Sequence, residues 1–151
     1  MKRLNAAFGM ILLMLSCFWL SPAAQADNGP IPIAGLWHVN YTSDFTGPGP
    51  QSYQQWHGDG LEWESPNFTT GQCLGTFIPT GPRSVRLFHV GWLPGGGPNG
   101  SVRFVLTEPD TVVSPDGNSF EGRYDQKFFD AAGNLVLEDK GKVHATRLTV
   151  H

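Results

Sequence analysis

Four histidines in the body of the chain, the glutamates Glu62 and Glu64, and the cysteine Cys73 are the residues best suited to chemistry here. Histidine binds metals and moves protons near neutral pH. No His-x-His or His-x-x-x-His pair occurs among His38, His57, His89 and His144, so a metal or haem site would need ligands gathered from separate segments. No metal and no cofactor is therefore expected, with haem as the alternative because alternation can turn His38 and His89 inward. Glu62 and Glu64 share one face of a strand, and beside Gly58-Asp59-Gly60 they read as a solvated rim. A glycosidase needs two carboxyl groups fixed across a cleft, and no spacing here fixes them. Cys73 lies within Gly71-Gln72-Cys73-Leu74-Gly75 and reads as a buried thiol behaving as a small hydrophobe. Neither a Gly-x-Ser-x-Gly elbow nor a phosphate-binding loop is present, and no catalytic residue is assigned.

The elements that must position these residues are strands. Turn signals recur at short intervals, and the residues between them are rich in Val, Phe, Tyr, Trp and Thr without helical periodicity. Strands are expected at 34–42, 53–57, 61–64, 73–79, 84–92, 102–108, 111–113, 119–129, 135–140 and 142–150. Thr46-Gly47-Pro48-Gly49-Pro50 and the glycine-rich run from Leu93 to Gly100 are expected as loops. The remaining connections, such as Pro115-Asp116-Gly117-Asn118, Ala132-Gly133-Asn134 and Lys140-Gly141, have hairpin chemistry, so consecutive strands should be neighbours. A meander of this kind leaves two exposed edges unless it closes. The predicted fold is all-β, a single antiparallel meander barrel of about eight strands.

Alternation then sorts the wall. Phe120, Tyr124, Gln126 and Phe128 share one face of their strand, and Glu121, Arg123, Asp125 and Lys127 share the other. With Leu87 and His89, Phe104, and His38, the first set forms an aromatic inner face with a few polar tips. Such a face suits either a solid core or a cavity for a small, largely apolar molecule.

The chain start fixes a destination. Lys2 and Arg3, the apolar run from Ala6 to Leu20, and Ala24-Gln25-Ala26 before Asp27 make a secretory signal over residues 1–26. Residues 27–33 are expected as a flexible leader and 34–151 as the barrel domain. The protein is expected to be periplasmic or extracellular, with no stable membrane span once cleaved. Cys17, after Leu15-Ser16, offers a lipid anchor as the alternative. The whole chain carries 10 basic and 13 acidic side chains. Cleavage removes two of the basic ones, which excludes nucleic acid as a partner because phosphate binding needs a basic face.

Gly35-Leu36-Trp37 at the first strand, the meander, and Arg147 on the last strand resemble the calycin superfamily, of which the lipocalins are members. That resemblance implies that Trp37 closes one end of the barrel and that Arg147 packs across its ring. Trp56-His57-Gly58-Asp59-Gly60 and the run from Ser114 to Phe120 also resemble elements of short exported bacterial proteins. The function expected from these readings is binding of a small apolar molecule without catalysis. The alternatives are a cyclase or isomerase using Tyr124, His89 or His38 as acid or base, and a packed barrel that works through its surface.

Overall fold

The computed structural model describes residues 31–150; the expected signal segment and the start of the leader lie outside the described residues. Eight antiparallel strands follow one another around a closed barrel. They are β1 (Gly35–Ser43), β2 (Gly47–Trp56), β3 (Leu61–Pro66), β4 (Cys73–Pro79), β5 (Ser84–Trp92), β6 (Arg103–Val113), β7 (Ser119–Phe129) and β8 (Leu135–Leu148). Each strand pairs with the next, and β8 returns to pair with β1. The tight turns before β7 and β8 place Gly117 and Gly133 at φ of 73° and 88°, a left-handed conformation that glycine adopts without a Cβ clash.

Three expected boundaries shift. β2 starts at Gly47, so most of the expected 46–50 loop is strand, paired with β1 through Gly47 and Pro48. The expected strands 102–108 and 111–113 form one strand, β6, whose register slips between Thr107 and Val112. Lys140-Gly141 is not a turn: β8 runs through it, and Gly141 pairs with Ser43 on one side and Tyr124 on the other. Hairpin chemistry was read there because glycine favours turns, whereas this glycine serves a close approach between strands.

The end of the barrel that begins β1 is plugged by aromatic packing. Trp37 meets Phe120 edge-on with ring centroids 4.9 Å apart, and Trp56 meets Phe77 at 5.0 Å. The expected leader is anchored at its end, since Ile33 is fully buried and accepts the Trp37 indole N–H at 2.8 Å. Arg147 lies opposite Trp37 in register, with its guanidinium carbon 4.1 Å from the indole centroid. The same guanidinium donates to the carbonyls of Gly117, Ala34 and Pro32 at 2.6, 2.8 and 2.6 Å. One side chain thus ties the entering chain, the β6–β7 turn and the plug together. Arg147→Ala removes the stacking and leaves those carbonyls without this donor, and is expected to lower unfolding free energy by about 2–3 kcal/mol. Urea unfolding measures this, and a loss below about 0.5 kcal/mol would contradict it.

Candidate functional site

Strand register assembles a polar layer inside the barrel from residues far apart in sequence. One row across the wall runs Trp56, Glu62, Gly75, His89, Leu106 and Gln126. The adjacent row runs Gln54, Glu64, Cys73, Gly91, Phe104 and Phe128. Neighbouring strands are about 4.8 Å apart, so residues flanking one position stand roughly 10 Å apart at their Cα atoms. Gly75 lets Glu62 and His89 lean together over it: a Cβ there would lie 2.4 Å from Glu62 Oε2 and 3.2 Å from His89 Cβ. At Gly91 a Cβ would lie 2.8 Å from Cys73 Sγ and 2.6 Å from the Phe104 ring. The two glycines make room for a cluster of long side chains within an eight-stranded wall.

Glu62, Glu64, Cys73, His89 and Glu108 are all buried. A chain of donors converges on Glu64. The Trp56 indole donates to Gln54 Oε1 at 3.0 Å, the Gln54 amide donates to the Tyr41 hydroxyl at 2.9 Å, and that hydroxyl donates to Glu64 Oε1 at 2.8 Å. The imidazole of His89 sits between two carboxylates, with Nδ1 3.3 Å from Glu62 Oε2 and Nε2 3.1 Å from Glu64 Oε2. Neither contact is aligned as a hydrogen bond, so both ring nitrogens and both Glu62 oxygens are buried without a hydrogen-bond partner. Glu108 accepts from Thr111 Oγ1 at 2.5 Å through one oxygen, and its other oxygen is unpartnered.

Burial dominates the electrostatics of this layer. It pushes Glu62 up to about 7, against the opposing pull of His89, and Glu108 up to about 8, against the Thr111 hydrogen bond. Burial also raises the Cys73 thiol and, with the negative field of Glu64, the Tyr41 phenol. For His89 burial acts downward, yet the charge of Glu64 and the contacts with Cys73 and Glu62 outweigh it and hold the imidazole well above its ordinary value. A layer of acids with one base, shielded from water, can accept, hold and release protons within the barrel.

Above this layer the barrel opens into a cup of about 620 Å³, lined among others by Phe45, Pro50, Phe68, Gln126, Phe128 and Leu137. The cup is mostly apolar, and Glu138 and Asp139 are its only ionisable lining residues among those described. Between cup and polar layer remains a space of about 10 Å³, bordered by Tyr41, Glu64, Phe104, Tyr124 and Gln126. Aromatic contacts step downward from Phe68 to Phe104 at 5.7 Å and from Phe104 to His89 at 5.6 Å. The Tyr124 phenol donates to Asp139 at 2.8 Å, and burial together with that carboxylate raises its pKa well above the ordinary value.

The residues expected to wall a cavity separate into groups. Gln126 and Phe128 line the cup, and Phe104 and Tyr124 border the narrow space beneath it. His89 belongs to the polar layer. Leu87 is fully buried in the core, and Phe120 lies in the plug at the far end. His38 is a correction: Trp37 and Val39 are buried on either side of it, so its ring lies on the outer face against Tyr53, with centroids 5.6 Å apart. Glu62 and Glu64 are the second correction, for they point inward while Leu61 and Trp63 are exposed. Alternation showed that the two glutamates share a face, but their charge assigned that face to solvent. Glu108 continues the inward alternation of Phe104 and Leu106, so its charge and not its phase hid it, and Tyr41 and Gln54 carried no motif.

Trp37 and Arg147 stack at the plugged end, the placement that the resemblance implied. Among the described residues no helix is long and apolar enough to cross a membrane. Scans against protein-family models, curated proteins and solved structures find no match to this chain.

Proposed function

We propose that this protein is an exported, calycin-like carrier that takes a small, largely apolar molecule into the open end of its barrel. The observation that carries the proposal is the cup of about 620 Å³, which lies within the range of about 300–1,000 Å³ common for small-molecule sites. Its walls supply aromatic and aliphatic surface, and Gln126 offers a polar group at depth. With carboxylates and no lysine or arginine among its described lining, the cup favours a neutral or cationic occupant over an anion. The Trp37–Arg147 stack supports kinship with calycins, and the signal segment supports export.

Native mass spectrometry of the purified protein, followed by denaturation, tests the proposal by releasing any resident molecule. In parallel, the neutral probe N-phenyl-1-naphthylamine is expected to bind with one site per chain. Leu137→Asp, which places a charge on the cup wall, is expected to weaken that binding at least about tenfold. An empty protein that also ignores the probe would end the proposal. One observation favours a second reading, isomerisation or cyclisation of the bound molecule: Tyr41, Glu64 and Tyr124 border the space directly below the cup. Tyr124→Phe distinguishes the two, because a carrier keeps its probe affinity and loses nothing else, whereas an enzyme that uses this phenol loses turnover of the released compound.

A further inference from the structure

We infer that Glu64, Cys73 and His89 form a binding site for one thiophilic divalent cation of the zinc class, set in the polar layer beneath the cup. The three residues come from β3, β4 and β5, and one donor atom from each lies within 4.8 Å of the other two. His89 Nε2 and Glu64 Oε2 are 3.1 Å apart. Two ligands about 2.05 Å from a tetrahedral zinc ion stand roughly 3.3 Å apart, so this pair needs little movement to ligate. A buried imidazole nitrogen without a hydrogen-bond partner is the independent sign that something is due there.

The surroundings match what metal ligands require. Glu62 stands 3.3 Å behind His89 Nδ1, the place of the carboxylate that orients a ligating histidine. Tyr41 holds Glu64 through Oε1 and leaves Oε2 facing the histidine. Gly75 and Gly91 provide the space in which the side chains converge. Charge also balances within the ligand set, where one glutamate and one thiolate cancel a divalent cation. On binding, the Cys73 thiol proton and any proton on His89 Nε2 leave to solvent. The sulfur ligand selects against magnesium and calcium, which take oxygen donors. Glu64, alone of the three, also borders the space of about 10 Å³ below the cup, which has room for about one water. The site stands whether or not the cup holds an apolar molecule.

Dialysis of the purified protein against a chelator, followed by titration with cobalt(II) chloride, tests the inference. One cobalt per chain is expected, with a thiolate-to-cobalt charge-transfer band in the near ultraviolet and visible bands of a four-coordinate ion, all displaced by zinc chloride. Cys73→Ser should abolish the charge-transfer band and weaken zinc binding at least about 100-fold. Glu62→Gln should keep the band and weaken zinc about 10–100-fold. Absence of the band in the wild-type protein, or its survival in Cys73→Ser, would overturn the inference. Should Cys73→Ser fail to fold, wild-type melting decides: saturating zinc chloride must raise the melting temperature, and no rise overturns the site. Probe binding in the cup is read separately, so either proposal can fail alone.

Discussion

Glu108→Gln is expected to stabilise the protein at pH 9 by about 4 kcal/mol while leaving its stability at pH 4 nearly unchanged. In the folded barrel burial keeps Glu108 protonated up to about pH 8, whereas the unfolded chain releases that proton near the ordinary value of 4.5. Between those limits the folded state holds a proton that the unfolded state has lost. Stability therefore falls as pH rises, by about 1.4 kcal/mol per unit, and levels off above the folded value. Glutamine is neutral throughout and keeps an oxygen to accept from Thr111, so it removes this slope. Glu62 is raised by burial in the same direction, so the profile of the variant is flattened and not flat. Urea unfolding at pH 4, 6, 7.5 and 9 in a chelating buffer checks the prediction. Parallel profiles for the two proteins would show that Glu108 is not the buried acid described here.

Gly141→Ala is expected to destabilise the barrel by about 3–5 kcal/mol. Gly141 lies where β8 meets β1 and closes the sheet, and a Cβ there would stand 2.0 Å from the Thr42 carbonyl oxygen and 2.8 Å from the Tyr124 ring. The first of these atoms is backbone, so no rotamer change relieves the overlap and the strands must part. Parting them breaks ladder hydrogen bonds at the closure and moves Tyr41 and Tyr124, whose rings meet edge-on 5.3 Å apart below the cup. Gly58→Ala is the control, because nothing lies within 4 Å of a Cβ there, and a change within about 0.5 kcal/mol is expected. Equal effects for the two variants in thermal or chemical unfolding would refute the assignment of Gly141 to the seam.

The sequence by itself determined the architecture. Strand-forming runs separated by turn residues at short intervals dictate a meander, and the exposed edges of a meander dictate closure, so the eight-stranded barrel was legible. Local alternation also placed Phe120, Tyr124, Gln126 and Phe128 on the inner face of β7 correctly. Period two cannot say which of two faces is inside, however, and the choice was made from polarity. That rule put Glu62 and Glu64 in water; in β1, where it favours the Trp37, Val39 and Tyr41 face, alternation alone let His38 turn inward, and both readings were reversed. Only the tertiary structure decided the site, because its members meet through cross-strand register: Glu62 reaches His89 over Gly75, and Glu64 stands beside Cys73. Register depends on where each turn begins and where β6 slips, a shift of one residue that no local pattern encodes. The cup was likewise undecided, since an aromatic inner face fills a barrel at the Trp37 end and lines a cavity at the other. The physical difference is the plug, where Trp37, Trp56, Phe77 and Phe120 pack edge to face under Arg147, while at the opposite end Phe68 and Phe128 line the cup instead of filling it.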